Sequence, residues 1–366
     1  MREYALEVLN LICNYGYEAY IVGGFVRDSL LGINSKDIDI TTNATPMELK
    51  NIFPNLDIIN SNYGAVLLEY KGVSFEITTF RMESNYEDNR HPSSVMYVND
   101  LNVDLIRRDF TINALCIDKN DQIIDLVNGK TDLENKILRT IGNSQKSFQD
   151  DALRILRAIR FASYLDFKMS DEIIEAIKDN KKLLKNISYQ QKKKELDKIF
   201  ASNKAYEGIK LIQKYELDSE LELFNLDRIK DYSDIVGIWA MINSSKYIFT
   251  SSEKDLIEKI NIVYDLDNLD KFVLYKYGLY VNILAAVNKK IDKKEIITRY
   301  GELPIKNRDE IDIDAKEICK ILNCKPGSII GDIYNDLENK IILGELINNK
   351  NDLILYIVNN YQQSSF

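Results

Sequence analysis

Asp37-Ile38-Asp39 sets two carboxylates at i and i+2, nine residues after the end of the run Gly23-Gly24-Phe25-Val26-Arg27-Asp28. On an extended strand alternate side chains point the same way, so Asp37 and Asp39 are expected on one side. Such a pair suits Mg²⁺, which binds through one or two carboxylates and fills its shell with water and phosphate oxygens. The two glycines let backbone N–H groups come close to phosphate oxygens where a helix begins. A D-x-D pair alone is usually a solvated surface feature. The glycine turn and Arg27-Asp28 ahead of it point instead to nucleotidyl transfer. A third carboxylate would complete a two-metal site. Val73, Phe75 and Ile77 alternate with Ser74, Glu76 and Thr78, which puts Glu76 on a polar face of a neighbouring strand; Glu69 is the rival.

Two further clusters suit a nucleotide. In Arg107-Arg108-Asp109-Phe110-Thr111-Ile112-Asn113, the arginines can bind phosphates while Asp109 and Asn113 meet a ribose hydroxyl. In Asp150-Asp151-Ala152-Leu153-Arg154, Asp151 and Arg154 lie three apart and are expected on one helix face, continued by Arg157 and Arg160. A carboxylate beside a guanidinium is a template for a base edge. Cytosine and adenine each offer an exocyclic amine beside a ring-nitrogen acceptor, which Asp151 and Arg154 would match. Uracil and guanine set a carbonyl against the carboxylate, and unpaired polar groups in a closed site discriminate strongly.

These residues need a scaffold, and the first 140 positions read as a mixed α/β region. Ala5, Val8, Leu9 and Ile12 mark one face of a helix leading into a strand at Ala19–Val22. A second strand runs over Ile38–Thr42, and Asn43-Ala44-Thr45-Pro46 caps a short helix. Strands near 64–70 and 73–80 meet at the Lys71-Gly72 turn, a polar loop is expected from about Met82 to Ser94, and another strand lies around 114–118. From Ser144 the pattern turns helical to the end. With 366 residues, 45% hydrophobic and 29% charged, the chain has room for several domains around a sizeable core. The net charge of −9 gives no global basic field, so nucleic acid would need a local basic face; Lys192-Lys193-Lys194 is the best candidate. One histidine, His91, and four dispersed cysteines argue against a Cys/His zinc site and fit a reducing cytoplasm. No apolar run approaches a membrane span and the start reads as an amphipathic helix and not a signal peptide, so a cytoplasmic location is expected.

In order, GGFVRD with DID, RRDFTINAL, DLVNGKTDLENKILRTIG and FQDDALRILRAIRF resemble successive motifs of the bacterial-type (class II) tRNA nucleotidyltransferases, the CCA-adding enzymes, within the DNA polymerase beta superfamily. Ile187 to Leu196 and the region from Pro304 to Asn348 are also similar to that family. The resemblance implies an elongated multidomain chain: a nucleotidyltransferase head over 1–140, then an all-helical neck over 141–202, body over 203–300 and tail over 301–366. It implies Asp37 and Asp39 as Mg²⁺ ligands and a triphosphate near Gly23, Gly24 and Arg27, aided by Arg157 and Arg160. It puts the sugar by Asp109 and Asn113 and the base by Asp151 and Arg154. The family's usual Glu-Asp-x-x-Arg stands here with Asp150 in first place. The stretch from Arg81 to Pro92 is similar to the family's flexible loop, which is needed for the switch from C to A. The implied partners are tRNA, CTP and ATP, with no membrane and no protein partner, and the implied activity is addition of C, C and A to the tRNA 3′ end. An A-adding enzyme or poly(A) polymerase is the alternative within the family; an inactive RNA-binding module is the alternative outside it.

Overall fold

The structure, a computed structural model, describes residues 1–362 except Lys36, Glu87 and Asn243; the side chain of Ser61 is also left aside. The chain divides into two compact units, Met1–Glu222 and Leu223–Phe366.

The first unit opens with α1 (Arg2–Asn14), which buries the predicted Ala5, Val8, Leu9 and Ile12 stripe. There follow β1 (Ala19–Val22), α2 (Gly24–Leu30), β2 (Ile38–Thr42) and α3 (Pro46–Ile52). Thr45 and Glu48 close a reciprocal capping box at the start of α3, as the Thr45-Pro46 signature requires. Next come β3 (Asp57–Asn60), β4 (Ala65–Tyr70), β5 (Val73–Thr79), β6 (Arg81–Tyr86) and β7 (Pro92–Tyr97). Lys71 and Gly72 both take positive φ, 51° and 77°, the pairing a tight β4–β5 hairpin demands. After α4 (Leu101–Ile106) come β8 (Cys116–Ile117), β9 (Ile123–Ile124), α5 (Gly129–Glu134), β10 (Ile137–Leu138), α6 (Ser144–Asp150), α7 (Leu153–Leu165) and β11 (Lys168–Met169). Helices α8 (Asp171–Asn180), α9 (Tyr189–Phe200), α10 (Ala205–Lys214) and α11 (Asp218–Leu221) complete the unit.

One sheet, in the order β3-β4-β5-β2-β1-β8-β9, carries the site. Strand β2 lies antiparallel to β1 and parallel to β5, and the register sets Asp39 opposite Val22 on one side and Glu76 on the other. Gly23 therefore leaves β1 beside Asp39. Behind the sheet Val22, Phe80, Leu101, Leu105, Ala114 and Cys116 form an apolar core that seats α4.

The segment expected as a polar loop from Met82 to Ser94 is instead the β6–β7 hairpin, paired from Arg81↔Tyr97 to Tyr86↔Pro92. Neither strand has a fully buried face, so no period-two apolar signal betrays it. Glu87 lies outside the described residues.

The second unit holds α12 (Ile235–Ile242), α13 (Ser251–Asp265), α14 (Lys271–Asn288), α15 (Lys293–Gly301), α16 (Ala315–Leu322), α17 (Ser328–Leu343) and α18 (Lys350–Tyr361). Helix α14 breaks at Gly278, whose φ of 74° leaves the helical region, and the Asn282 amide bonds the freed Gly278 carbonyl at 2.7 Å. Among the described residues no helix is long and apolar enough to cross a membrane.

Candidate active site

A cleft of about 770 Å³ in the first unit is lined by Gly23, Gly24, Arg27, Asp37, Asp39, Arg108, Asp109, Asn113, Asp151, Arg154, Arg157 and Arg160. Sequence spacing thus brought together residues from four separate stretches of chain. Asp37 precedes β2 and Asp39 lies on it, and both face the cleft. Gly23 needs its positive φ of 83° to turn from β1 into α2, and a Cβ there would sit 3.5 Å from Asp39 Oδ2. Glu76 lies outside the main cleft but shares a smaller hollow with Asp39 and Arg108. Glu69 pairs with Ser74 further along the sheet and lines neither space. Burial and the neighbouring Glu76 charge, with a smaller push from Asp37, raise the Asp39 carboxyl to about 6, while Arg108 opposes them. A divalent cation would relieve this crowding of carboxylates. Among the described residues no group of three His, Cys, Asp or Glu side chains is arranged to hold a metal ion.

The opposite wall is a chain of arginines, each gripped by a carboxylate. Arg27 Nε and Nη2 bond Asp28 Oδ1 at 2.8 and 2.6 Å, its Nη1 bonds Asn113 Oδ1 at 2.7 Å, and its guanidinium lies 4.9 Å from the Phe161 ring centre. Asn113 Nδ2 donates to Asp109 Oδ1 at 3.1 Å, and Arg157 Nε donates to Asp109 Oδ2 at 2.7 Å. Burial pushes Asp109 upward, but Arg157 and Asn113 overcome it and hold the carboxyl at about 2. With the Phe110 N–H also on Oδ1 at 2.8 Å and Arg157 Nη2 2.6 Å from Oδ2, each carboxylate oxygen of Asp109 meets two protein donors, so it orients Arg157 and Asn113 and has no free lone pair to offer a sugar in this state. Arg160 in turn bonds Glu195 at 2.8 Å and covers Phe161 at 4.2 Å.

Asp151 and Arg154 stand side by side in the cleft, with Arg154 Nε 4.0 Å from Asp151 Oδ2. They do not share a helix face as expected. Asp151 has extended backbone angles at the junction of α6 and α7, where its Oδ1 accepts from the Leu153 N–H at 3.0 Å. A short carboxylate that can cap a helix start favours that break over continuing the helix. Arg154 is fixed by Ser147 Oγ at 2.8 Å and the Arg107 carbonyl at 2.6 Å. Burial raises the Asp151 carboxyl against the pull of Arg90 and Arg154. Arg90, in the turn of the β6–β7 hairpin, bonds Asp151 Oδ2 at 2.5 Å.

Two expected contributors stand elsewhere. Asp150 does not line the cleft and pairs with Lys146 at 2.7 Å. In the basic patch, Lys192 is buried, with its ammonium 4.4 Å from the Tyr189 ring centre, so it has no route to an RNA backbone. Lys193 bonds Asp197, and Lys194 alone of the three is exposed. Sequence reasoning passed over Arg90, Asp104 and Glu195. The signal for Asp104 was present, since it precedes Arg107 and Arg108 by three and four residues.

Residues 19–139 match the Poly A polymerase head domain, residues 166–221 the "Probable RNA and SrmB- binding site of polymerase A", and residues 249–357 tRNA nucleotidyltransferase domain 2. A CCA-adding enzyme of Ligilactobacillus salivarius is 36% identical, covering 96% of this chain and 94% of that protein. The chain belongs to the CCA-adding enzyme family. Another CCA-adding enzyme, from Lactococcus lactis subsp. cremoris, is 35% identical over 94% of this chain and 93% of its own length. The crystal structure of the Bacillus stearothermophilus CCA-adding enzyme in complex with CTP superposes with a TM-score of 0.83 at 26% identity, covering 99% of this chain and 98% of that one. The family's head domain coincides with the sheet that carries Asp39.

Proposed function

We propose that this cleft adds C, C and A in turn to the 3′ end of tRNA, taking CTP and ATP without a nucleic-acid template and releasing pyrophosphate. The observation that carries the reading is the convergence of the Asp37/Asp39 pair and the Asp151/Arg154 pair on one cleft. The terminal ribose hydroxyl of the RNA attacks the α-phosphate, and catalysis is positioning plus electrostatic stabilisation. Asp37 and Asp39 are the groups that would hold Mg²⁺, which supplies charge neutralisation on the phosphates and a more acidic attacking hydroxyl. Glu76 is the carboxylate beside them. Gly23 and Gly24 allow the triphosphate close to the backbone, Arg108, Arg157 and Arg160 face its charge, and Arg27, Asn113 and Asp109 keep that wall rigid. Asp151 accepts from the amine of C or A while Arg154 donates to the ring nitrogen.

Within this reading a head over 1–140 and a neck over 141–202 lie in the first unit, which runs on to Glu222 and so takes in the start of the body. The body over 203–300 and the tail over 301–366 hold the tRNA, and Lys194 is the remaining backbone contact of the predicted basic patch. The location that fits this reading is the cytoplasm, where tRNA and free CTP and ATP are found together.

The test supplies tRNAs ending before CCA, after C, and after CC, with CTP alone, ATP alone and both, and reads product length. Completion of CCA on all three supports the proposal. A single A on the CC end alone marks an A-adding enzyme, long A tails mark a poly(A) polymerase, and no metal-dependent incorporation marks an inactive RNA-binding module.

A further inference from the structure

One buried carboxylate near the cleft has no part in the scheme above. Asp104, on α4, is fully buried. Its Oδ1 accepts from the Arg81 backbone N–H at 3.2 Å and from Arg107 Nε and Nη2 at 3.0 and 2.7 Å. Its Oδ2 accepts from Arg108 Nη2 at 3.0 Å and from Thr41 Oγ1 at 3.3 Å. Burial pushes its carboxyl upward, but Arg108 and Arg107 win and keep it ionised. Thr41 follows Asp39 by two residues on β2, so one carboxylate ties the metal-binding strand to both arginines and to the root of the hairpin.

The two arginines are not equally secured. Arg107 bonds Asp104 twice and also reaches Glu83 at 3.2 Å. Arg108 is tethered to Asp104 through one nitrogen, and among the described residues its buried Nε meets no acceptor. Arg108 faces the main cleft and also the hollow of about 200 Å³ that it shares with Asp39 and Glu76. A guanidinium freed from Asp104 would find those two carboxylates lining the same hollow, and a bidentate guanidinium–carboxylate pair is strong enough to hold it there.

We propose that Asp104 is a positioning residue that keeps Arg108 off the metal-binding carboxylates, so that without its charge Arg108 turns onto Asp39 and competes with the divalent cation. The inference rests on the reading of Asp37 and Asp39 as metal ligands.

The experiment titrates Mn²⁺ alone into the whole nucleotide-free protein and reads free ion by electron paramagnetic resonance. Asp39→Ala tests the metal site itself: unchanged Mn²⁺ binding there would remove that reading and this inference with it. Given an Asp39-dependent site, Asp104→Asn weakens Mn²⁺ by about tenfold, and adding Arg108→Gln to Asp104→Asn returns the affinity to within about threefold of the parent. Merely structural damage would weaken both variants alike. Asp104→Asn binding Mn²⁺ like the parent, or a double variant as weak as the single one, overturns the proposal and leaves the metal site standing. Should Asp104→Asn fail to fold, Arg108→Gln alone decides. A change within about threefold means Arg108 is already parked on Asp104, and tightening of about tenfold means it already sits on the carboxylates, which refutes the inference.

Discussion

Replacing Asp109 with asparagine isolates the electrostatic core of the arginine wall. Its carboxyl titrates at about 2 in the folded chain against an ordinary 3.8, because the Arg157 charge and the Asn113 bond outweigh the upward push of burial. A fall of nearly two units, at about 1.4 kcal/mol each, corresponds to about 2 kcal/mol of folding stability. The sign follows from the depressed value: the unfolded chain takes up the proton first as pH falls. The contribution is therefore complete above the unfolded value and is lost between about pH 4 and pH 2. The neutral amide would keep the shape but leave Arg157 with only the more distant Glu195 carboxylate, 3.9 Å away, a loss of about 3 kcal/mol at neutral pH. Hydrogen exchange of the amides of β1, β2 and β8, measured from pH 2 to pH 6 in parent and Asp109→Asn, reads the stability of the first unit directly. Asp104 and Glu195 are also held below the ordinary range and steepen both profiles. The difference between the profiles removes their share. That difference should shrink by about 2 kcal/mol on going from pH 5 to pH 2. Parallel profiles would refute the assignment of the low carboxyl to Asp109.

Asp39→Ala should lower nucleotide incorporation by at least about a thousandfold while tRNA affinity in a filter assay stays within about threefold; near-normal turnover would reject Asp39 as a metal ligand. Asp151→Ala should cut the preference for CTP and ATP over UTP and GTP to about tenfold or less, read as kcat/KM for each triphosphate, and unchanged selectivity would reject the template pair. Lys192→Met should leave tRNA affinity within about twofold, because the ammonium is buried beside Tyr189; a large loss would show that this lysine reaches RNA after all.

Much of the sheet was legible because its signals are local. The Ala5-Val8-Leu9-Ile12 stripe, the Thr45-Pro46 cap and the Lys71-Gly72 turn each carry their cause in a few neighbouring residues. So does the placing of Asp37 and Asp39 in one cleft, since an extended backbone turns residues two apart the same way. The β6–β7 hairpin was not legible, because its pairing rests on backbone bonds between two polar strands and leaves no apolar alternation to read. The break between Asp151 and Leu153 was hidden for a related reason: Asp150 to Phe161 reads as continuous helix until a side chain takes the backbone N–H that the helix would have used. Lys192 was misplaced although the pattern held the answer. Lys192, Glu195, Leu196 and Ile199 recur at i, i+3, i+4 and i+7 and form the buried face of α9. Charge identity outweighed position in that reading. The division after Glu222 has no proline or glycine cluster to mark it.

An acidic chain can hold a triphosphate and an RNA end because the relevant charge is local. The whole protein carries −9, yet among the described residues the cleft is lined by nine cationic side chains, Lys198 and eight arginines, against seven carboxylates. Charges beyond about 8 Å are screened at physiological salt, so the nucleotide responds to the cleft and not to the distant surface. The carboxylates there do more than dilute that field. Arg27, Arg107, Arg157 and Arg160 are each held by a buried carboxylate, and these come from three parts of the chain: Asp28, then Asp104 and Asp109, then Glu195. A long flexible side chain ordinarily loses about 2 kcal/mol of rotamer freedom when fixed. Here that ordering is done during folding, so phosphate binding does not bear it again. The same fixing is what the proposed Asp151/Arg154 base template needs to work without nucleic acid. Arg154 can tell a ring nitrogen from a ring N–H only if its guanidinium cannot swing to accommodate both, and the Ser147 hydroxyl and the Arg107 carbonyl remove that freedom. Selection by protein side chains therefore depends on the buried anions and carbonyls behind the cleft as much as on the groups that face the base.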